Sequence, residues 1–193
     1  MVLGLLLSIH FISDHDQAGL PRHRRDLQEG PIDLLRSANI IPNIVDAVNS
    51  SSGISMAVQY DEASVRNGLL IPASQAQRMP NVTITGANNS LLTLVLVDPD
   101  ALNPQFLHWL VTNIPDGDVG AGQQTTPYRG PAPPSGEHRY VFLLYRQPSK
   151  NTLQIMDPSK GTTAGRAGFR ARTFAALNTL GNPVAVLYFL SQR

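Results

Sequence analysis

The sequence predicts an all-β-dominated fold, an antiparallel β-sandwich with a short N-terminal helix and one helix before the final strand. Three observations support this prediction. Apolar runs of strand length, alternating or continuous, recur along the chain. Gly and Pro occur 15 times each in 193 residues, which favours turns over long helices. Two stretches at most carry a helical pattern, so strands dominate.

The composition is that of a folded domain and excludes several functions. Hydrophobic residues are 42% and charged residues 15%, too apolar for a disordered chain. The net charge is +1, so no strong field favours nucleic acid or a membrane surface. The absence of cysteine removes disulfides, thiolate catalysis and cysteine-ligated zinc.

Residues 1–30 are interpreted as a leader or linker, and residues 31–193 as the domain. The opening "MVLGLLLSIHFIS" has the length of a signal peptide and is too short to span a bilayer. A disordered leader and a misplaced start are the alternatives. Three N-x-[ST] sequons, at Asn49, Asn81 and Asn88, fit a secreted protein but also arise by chance. The compartment, secreted or cytoplasmic, therefore stays open.

The first half of the domain alternates short elements with turns. In "PIDLLRSANIIPNIVDAV", Ile32, Leu35 and Ala38 share a helical face, and we expect Pro42 to end the helix. "GISMAVQY" and "NVTITG" alternate like half-buried strands. Between them, "NGLLIPASQAQRMP" is predicted to be a loop.

The second half holds the most apolar strands. "LLTLVLVD" is continuously apolar, which predicts a central strand buried on both faces. "LHWLVTNI", "RYVFLLYRQ" and "PVAVLYFLSQ" are predicted to be further strands. In "GFRARTFAALNTLG", Phe174, Leu177 and Leu180 fall on one helical side, and Gly181 is predicted to cap that helix.

Three polar side chains stand where predicted strands begin or end. Asp98 closes one strand, His108 lies near the start of the next, and His138 opens a third after the loop "YRGPAPPSGEHRY". Taken singly, Asp98 suggests a turn and His108 a core histidine. If the strands are neighbours, however, a carboxylate and two imidazoles meet at one rim. Imidazoles donate hydrogen bonds, and a nearby carboxylate favours their protonated form, so the cluster would suit a phosphate ester.

Enzymatic alternatives use the same cluster. Ser135 could complete a Ser-His-Asp set with His138 and Asp98, although the sequence has no G-x-S-x-G elbow. Two histidines and a carboxylate could also bind a metal, although no metal-ligand spacing supports it. A hydrolase or metal-dependent enzyme is therefore the alternative hypothesis.

The segments "LTLVLVDPDA", "LHWLVTNIP" and "YRGPAPPSGEHRYVFLLYRQ" resemble the phosphatidylethanolamine-binding protein family, which includes the Raf kinase inhibitor and plant flowering-time regulators. The resemblance runs from about "NGLLIPASQ" to the C-terminus. It implies a β-sandwich with a preformed pocket for phosphate, acetate, cacodylate or a phosphoethanolamine headgroup. The pocket residues carried over are Asp98, Asp100, His108, Gly130, Pro133, Pro134, His138 and Tyr140.

The resemblance also implies a non-enzymatic protein without a cofactor. Its ligand would be a phosphorylated small molecule, and its effect would come through a protein partner: a kinase, a protease or a signalling adaptor. No nucleic acid is expected, and the resemblance implies a monomer.

Some positions depart from the family pattern. Leu102 stands where D-P-D-x-P has its second proline, and "ALNPQF" is a short connection to "LHW", which is expected to reshape the pocket mouth. Phe106 occupies a variable position. Arg146 and Pro115 match part of an adaptor surface, but Asn81 replaces an expected basic residue, which argues against adaptor binding.

Overall fold

The computed structural model describes residues 30–103, 105–149 and 164–193, so the predicted leader lies outside the described residues. The two helices are α1 (Pro31–Ser37) and α2 (Ala171–Leu177). The eight strands are β1 (Ser55–Gln59), β2 (Leu69–Leu70), β3 (Asn81–Thr85), β4 (Leu91–Asp98), β5 (Phe106–Pro115), β6 (Gln123–Thr126), β7 (His138–Gln147) and β8 (Ala185–Ser191). Neither helix is long and apolar enough to cross a membrane, within the part of the chain described.

The strands form two sheets. The larger sheet has the order β2-β8-β7-β4-β5-β6, and β1 pairs with β3 in a separate antiparallel ribbon. All pairs of the larger sheet are antiparallel except β2 with β8, which is parallel. The predicted all-β-dominated fold is therefore confirmed, with one parallel pair at the sheet edge.

Both faces of the larger sheet are covered. One face packs against α1 and α2 through a cluster that includes Leu35, Val95 and Phe174. The opposite face packs against the β1–β3 ribbon through a cluster that includes Met56, Leu96 and Phe142. Strand β4 lies between β5 and β7 and is buried from its second residue to its last. The prediction of a central strand covered on both faces is confirmed, because continuous apolar sequence is what such a strand requires.

Both helices end earlier than the sequence predicted. Helix α1 ends at Ser37, and Asn39 with φ 53° turns the chain before Pro42 is reached. Helix α2 ends at Leu177 with Asn178 as its C-cap, and Thr179 with φ 53° turns the chain; Gly181 is left-handed as predicted, with φ 67°, but lies beyond this turn. Leu177 is half exposed, whereas Phe174 and Leu180 are buried as expected.

The remaining differences concern short elements. Leu69–Leu70 pairs with β8 inside the segment predicted to be a loop, and Ala73–Ala76 forms a 3₁₀ turn there. Strand β6 was not predicted, since "QQTT" has no apolar pattern and pairs only at the edge with β5.

Strand β5 contains a β-bulge at His108. On β4, the adjacent residues Leu96 and Val97 pair with Trp109 and Leu107, which leaves His108 as the extra residue of β5. Leu107 packs on the helix side of the sheet and Trp109 on the ribbon side. The bulge thus accommodates His108 near the start of β5, and the residues on either side of it pack into the two hydrophobic clusters.

Candidate functional site

The ends of three neighbouring strands meet at one rim of the larger sheet. Asp98 ends β4 and pairs with Phe106, the first residue of β5, while His138 begins β7 on the other side. A cavity of about 240 Å³ opens there. Its lining residues are Asp98, Ala101, Leu102, Asn103, Phe106, His108, Arg129, Ala132, Pro134, His138, Tyr140 and Ala167. The predicted convergence of one carboxylate and two imidazoles is therefore found in the structure.

Asp98 organises the polar side of the cavity. Its Oδ2 accepts a hydrogen bond from Nδ1 of His138 at 2.8 Å, and its Oδ1 accepts one from the backbone N–H of Asp100 at 2.8 Å. The phenol of Tyr140 lies within the electrostatic influence of the Asp98 carboxylate. Burial first, and then the Asp98 charge, raise the pKa of Tyr140, so this phenol stays protonated. Because Nδ1 of His138 is engaged, Nε2 is the nitrogen that remains for a guest.

His108 is held in one orientation by a reciprocal backbone contact. Its Nδ1 lies 2.7 Å from the carbonyl oxygen of Arg129, while the Arg129 N–H donates to the His108 carbonyl at 2.9 Å. The ring meets Phe106 and Tyr140 edge-on, with centroids 5.0 and 5.1 Å away. Burial lowers the pKa of His108 to about 4, despite the opposing effect of the Arg129 carbonyl and of Asp98.

The proton on His108 is consequently at Nδ1. A carbonyl oxygen only accepts, so Nδ1 must donate to Arg129. A neutral imidazole with its proton at Nδ1 has a lone pair at Nε2. The sequence analysis expected both histidines to donate to an anion. With Nδ1 engaged by the Arg129 carbonyl, Nε2 is the nitrogen of His108 that is left for the cavity.

The proline-rich loop before β7 is anchored to the 3₁₀ turn Ala73–Ala76. Tyr128 donates from its hydroxyl to the Ala76 carbonyl at 2.7 Å, and Gln77 Nε2 donates to the Pro131 carbonyl at 2.7 Å. Gly130 lies so close that a Cβ there would be 2.8 Å from Cα of Gln77. This glycine therefore permits close backbone packing behind the cavity, not contact with a guest.

Not every predicted site residue lines the cavity. Gly130 and Pro133 are buried in the supporting loop, whereas Pro134 is at the cavity wall. Asp100 faces away from the cavity and binds Arg139, with a 2.5 Å contact to Nη2 and a 2.9 Å contact to Nε. Burial acts to raise the pKa of Asp100, but these hydrogen bonds outweigh it and hold that pKa below its usual value.

Two arginines near the cavity were not predicted as site residues. The guanidinium of Arg129 lies over the ring of Phe106, 5.6 Å from its centroid. Arg166 is 5% exposed and donates to the carbonyls of Leu107, His108 and Pro127. Arg129 stands within the quoted loop motif, so the sequence offered a signal for it. Arg166 follows a segment without any pattern, and only the fold brings it here.

The enzymatic alternatives gain no support from the placement of their residues. Ser135 is exposed in the loop and is not among the cavity-lining residues. In the described ranges, no group of three or more His, Cys, Asp or Glu side chains could hold a metal ion. Leu102, at the shortened connection, is 91% exposed on the rim.

Comparisons with known proteins agree on one family. The family model described as phosphatidylethanolamine-binding protein matches residues 61–189. The chain is 40% identical over 169 residues to Protein MOTHER of FT and TFL1 homolog 2 of Oryza sativa subsp. japonica, covering 84% of this chain and 94% of that protein. It is 36% identical over 170 residues to Protein FLOWERING LOCUS T of Arabidopsis thaliana, covering 83% and 91%.

A solved structure gives the same result for the fold. The match is to the carboxypeptidase Y inhibitor, in a crystal structure of its complex with the cognate proteinase. The two chains superpose with a TM-score of 0.67 at 26% identity, over 84% of this chain and 94% of the inhibitor.

Proposed function

The chain belongs to the phosphatidylethanolamine-binding protein family, and we propose that it is a non-enzymatic binding module whose cavity takes a small phosphate-type anion. The ligand would be a phosphorylated small molecule or a phosphoethanolamine headgroup. The biological effect would come through a protein partner that this module binds.

The observation that carries this proposal is the Asp98–His138 pair at the cavity wall. The 2.8 Å contact fixes the His138 ring, so its protonated form donates from Nε2 to a guest. Arg129 adds a permanent positive charge at the lining. The volume of about 240 Å³ is ample for a phosphate and too small for a lipid with its acyl chains.

A phosphate titration of the His138→Leu variant tests the proposal. We expect the wild-type protein to bind inorganic phosphate by isothermal titration calorimetry at pH 6.5, and His138→Leu to lose binding by about tenfold or more. The reason is that leucine removes the Nε2 donor and leaves Oδ2 of Asp98 without its contact to His138.

Glu137→Gln is the matched control for this experiment. Glu137 is the exposed neighbour of His138 and does not line the cavity. Its variant should bind phosphate within about twofold of wild type. Unchanged phosphate affinity in folded His138→Leu protein would refute the assignment of the cavity.

The partner classes are a kinase, a protease and a signalling complex. The protease class is supported by the fold likeness to an inhibitor crystallised with its proteinase. We therefore expect the protein to suppress hydrolysis by a serine carboxypeptidase near a 1:1 molar ratio, measured with a chromogenic peptide substrate. Full hydrolysis at a tenfold excess of the protein would eliminate this class and leave the kinase and signalling classes.

A further inference from the structure

We propose that the outer edge of strand β3 is a docking site for a short extended peptide that carries a basic residue. The site is a second cavity, between the β1–β3 ribbon and the edge strand β6 of the larger sheet. It shares no lining residue with the cavity at the β4–β5–β7 rim. The inference is therefore independent of the proposed function.

The second cavity has a volume of about 490 Å³, which lies within the range of ligand-binding clefts. Residues of β3 line one part of it. The 3₁₀ turn Val119–Ala121 and Gln124 of β6 contribute to another part, and Trp109 of β5 lines it from the core. The cavity is thus a recess at the side of the sandwich, where the two layers meet.

Strand β3 faces this cavity with its edge. Its residues Asn81–Ile84 all line the cavity, although the side chains of successive strand residues point to opposite faces. A run without gaps therefore places backbone atoms of β3 at the cavity wall. The opposite edge of β3 is occupied by β1, with pairs from Gln59↔Asn81 to Ser55↔Thr85.

The cavity-side edge of β3 has no backbone partner among the described residues. The ribbon has two strands, and no backbone hydrogen bond outside it involves Asn81–Thr85. A row of unpaired N–H and C=O groups is a template for a further strand. Charges and prolines usually protect such edges, and "NVTIT" contains neither. The backbone therefore specifies the guest as an extended polypeptide.

The shape of the recess favours a short peptide over a second copy of the chain. At one end Gly117 packs against β3, since a Cβ on it would be 3.1 Å from the Ile84 carbonyl oxygen. At the other end Nε2 of Gln124 lies 3.9 Å from Sδ of Met79. The open stretch is Asn81–Thr83. One strand fits between these ends, whereas the edge of a whole sheet would be stopped by them.

Trp109 supplies a hydrogen-bond donor that suits a peptide. The residue is 1% exposed, and its Nε1–H has no hydrogen-bond partner within the described ranges. An indole N–H only donates, so its partner must be an acceptor, and every peptide unit has a carbonyl oxygen. A guest that reaches Trp109 would therefore satisfy a buried donor.

Asp118 determines the charge of the guest. It is the only charged residue among those that line the cavity in the described part of the chain. Its Oδ1 accepts the N–H groups of Gly120 and Ala121, which fixes the carboxylate. A Lys or Arg side chain of the guest would be attracted to it. Asp118 follows Gly117, at the C-terminal end of β3, so an antiparallel peptide would place its basic residue first.

The probe for this site is the peptide Ac-Lys-Val-Thr-Val-NH₂. Trp109 is the only tryptophan of the chain, so its fluorescence reports on the cavity directly. We expect a saturable fluorescence change on titration, and ¹H–¹⁵N spectra in which the backbone amide signals of Asn81–Ile84 shift. No fluorescence change at millimolar peptide, or amide shifts confined to other strands, would overturn the inference.

N-methylated peptides test strand pairing itself. A strand that pairs along one edge uses the N–H groups of alternate residues. One peptide is methylated at the lysine and threonine nitrogens, and the other at the two valine nitrogens. We expect one of them to lose about tenfold or more in affinity and the other to stay within about threefold of the parent peptide. Equal affinities of the two would show that the guest does not pair as a strand.

The Asp118→Asn variant tests the charge preference, since asparagine still accepts the two backbone N–H groups. The variant should bind the lysine peptide about threefold more weakly at low salt, and a norleucine analogue unchanged. Asp116→Asn is the control: Asp116 is exposed, does not line the cavity, and should have no effect beyond about 1.5-fold. Equal losses in both variants would overturn the role of Asp118.

The remaining occupant is a second copy of the chain. Light scattering of the wild-type protein measures it. A dimer that binds no peptide and has the Asn81–Thr83 amides protected from hydrogen exchange would assign the β3 edge to self-association and refute the peptide site. A monomer that binds the probe with the expected pattern of N-methyl effects would support the peptide site.

Discussion

At the scale of single residues, His108 links the cavity to the pH dependence of stability. Its pKa is about 4 in the folded protein and about 6.5 in an unfolded chain. Between these values the unfolded chain binds more protons than the folded one. The contribution of His108 is therefore fully present above about pH 6.5 and is lost as the pH falls toward 4.

We expect the free energy of unfolding to decrease on acidification across this window. The slope due to His108 would reach at most about 1.4 kcal/mol per pH unit. Urea denaturation at pH 7, 6 and 5 measures it, and His108→Gln is the comparison because glutamine does not titrate. A slope that is the same in both proteins would show that His108 is not the group responsible.

The sequence predicted the chemistry of the site residues only in part. The motif identified Asp98, His108 and His138, and the structure brings all three to one cavity. The motif did not show that the Asp100 side chain binds Arg139. Adjacent acidic residues in a turn have no periodicity that predicts which way each side chain points. Arg166 could not be predicted, because its contacts are carbonyls 39 to 59 residues away in sequence.

At the scale of elements, the loop before β7 is positioned by packing against the 3₁₀ turn Ala73–Ala76. A Cβ on Gly130 would be 2.8 Å from Gln77 Cα and 2.9 Å from the Ala76 carbonyl oxygen. We therefore expect Gly130→Ala to destabilise the protein by about 1–3 kcal/mol, measured by urea denaturation, since backbone must move.

Gly120→Ala is the control for this prediction. Its Cβ would meet only the Oδ1 atom of Asp118, an exposed side chain, at 3.3 Å. We expect a change within about 0.5 kcal/mol. If Gly130→Ala were as mild as Gly120→Ala, the loop would have to be less tightly seated than the contacts indicate.

The long apolar strands were predictable from the sequence, and the short strands were not. The continuous apolar run of β4 and the long runs of β5, β7 and β8 identified these strands, because burial dictates their composition. Strands β2 and β6 have two and four residues and depend on tertiary pairing for their existence. After α2 the chain turns at Thr179, a β-branched residue that rarely adopts a positive φ, whereas Asn39 after α1 is a residue type that tolerates it.

At the scale of the whole molecule, the sandwich is asymmetric. Among the described residues, six strands form one sheet and two form the ribbon that faces it, while the helices cover the other face. A count of predicted strands gives the fold class but not this division. Sheet membership depends on pairing between distant segments, as when β8 joins both β7 and β2.

The extra residue in β5 has a consequence for how such a site can arise. Without His108, Leu107 would directly precede Trp109, and the observed pairs Val97–Leu107 and Leu96–Trp109 would follow in ordinary succession. Both hydrophobic clusters would then keep their members from this strand. A gene could therefore gain or lose this imidazole at the cavity through a single inserted or deleted codon, with the strand pairing around it kept.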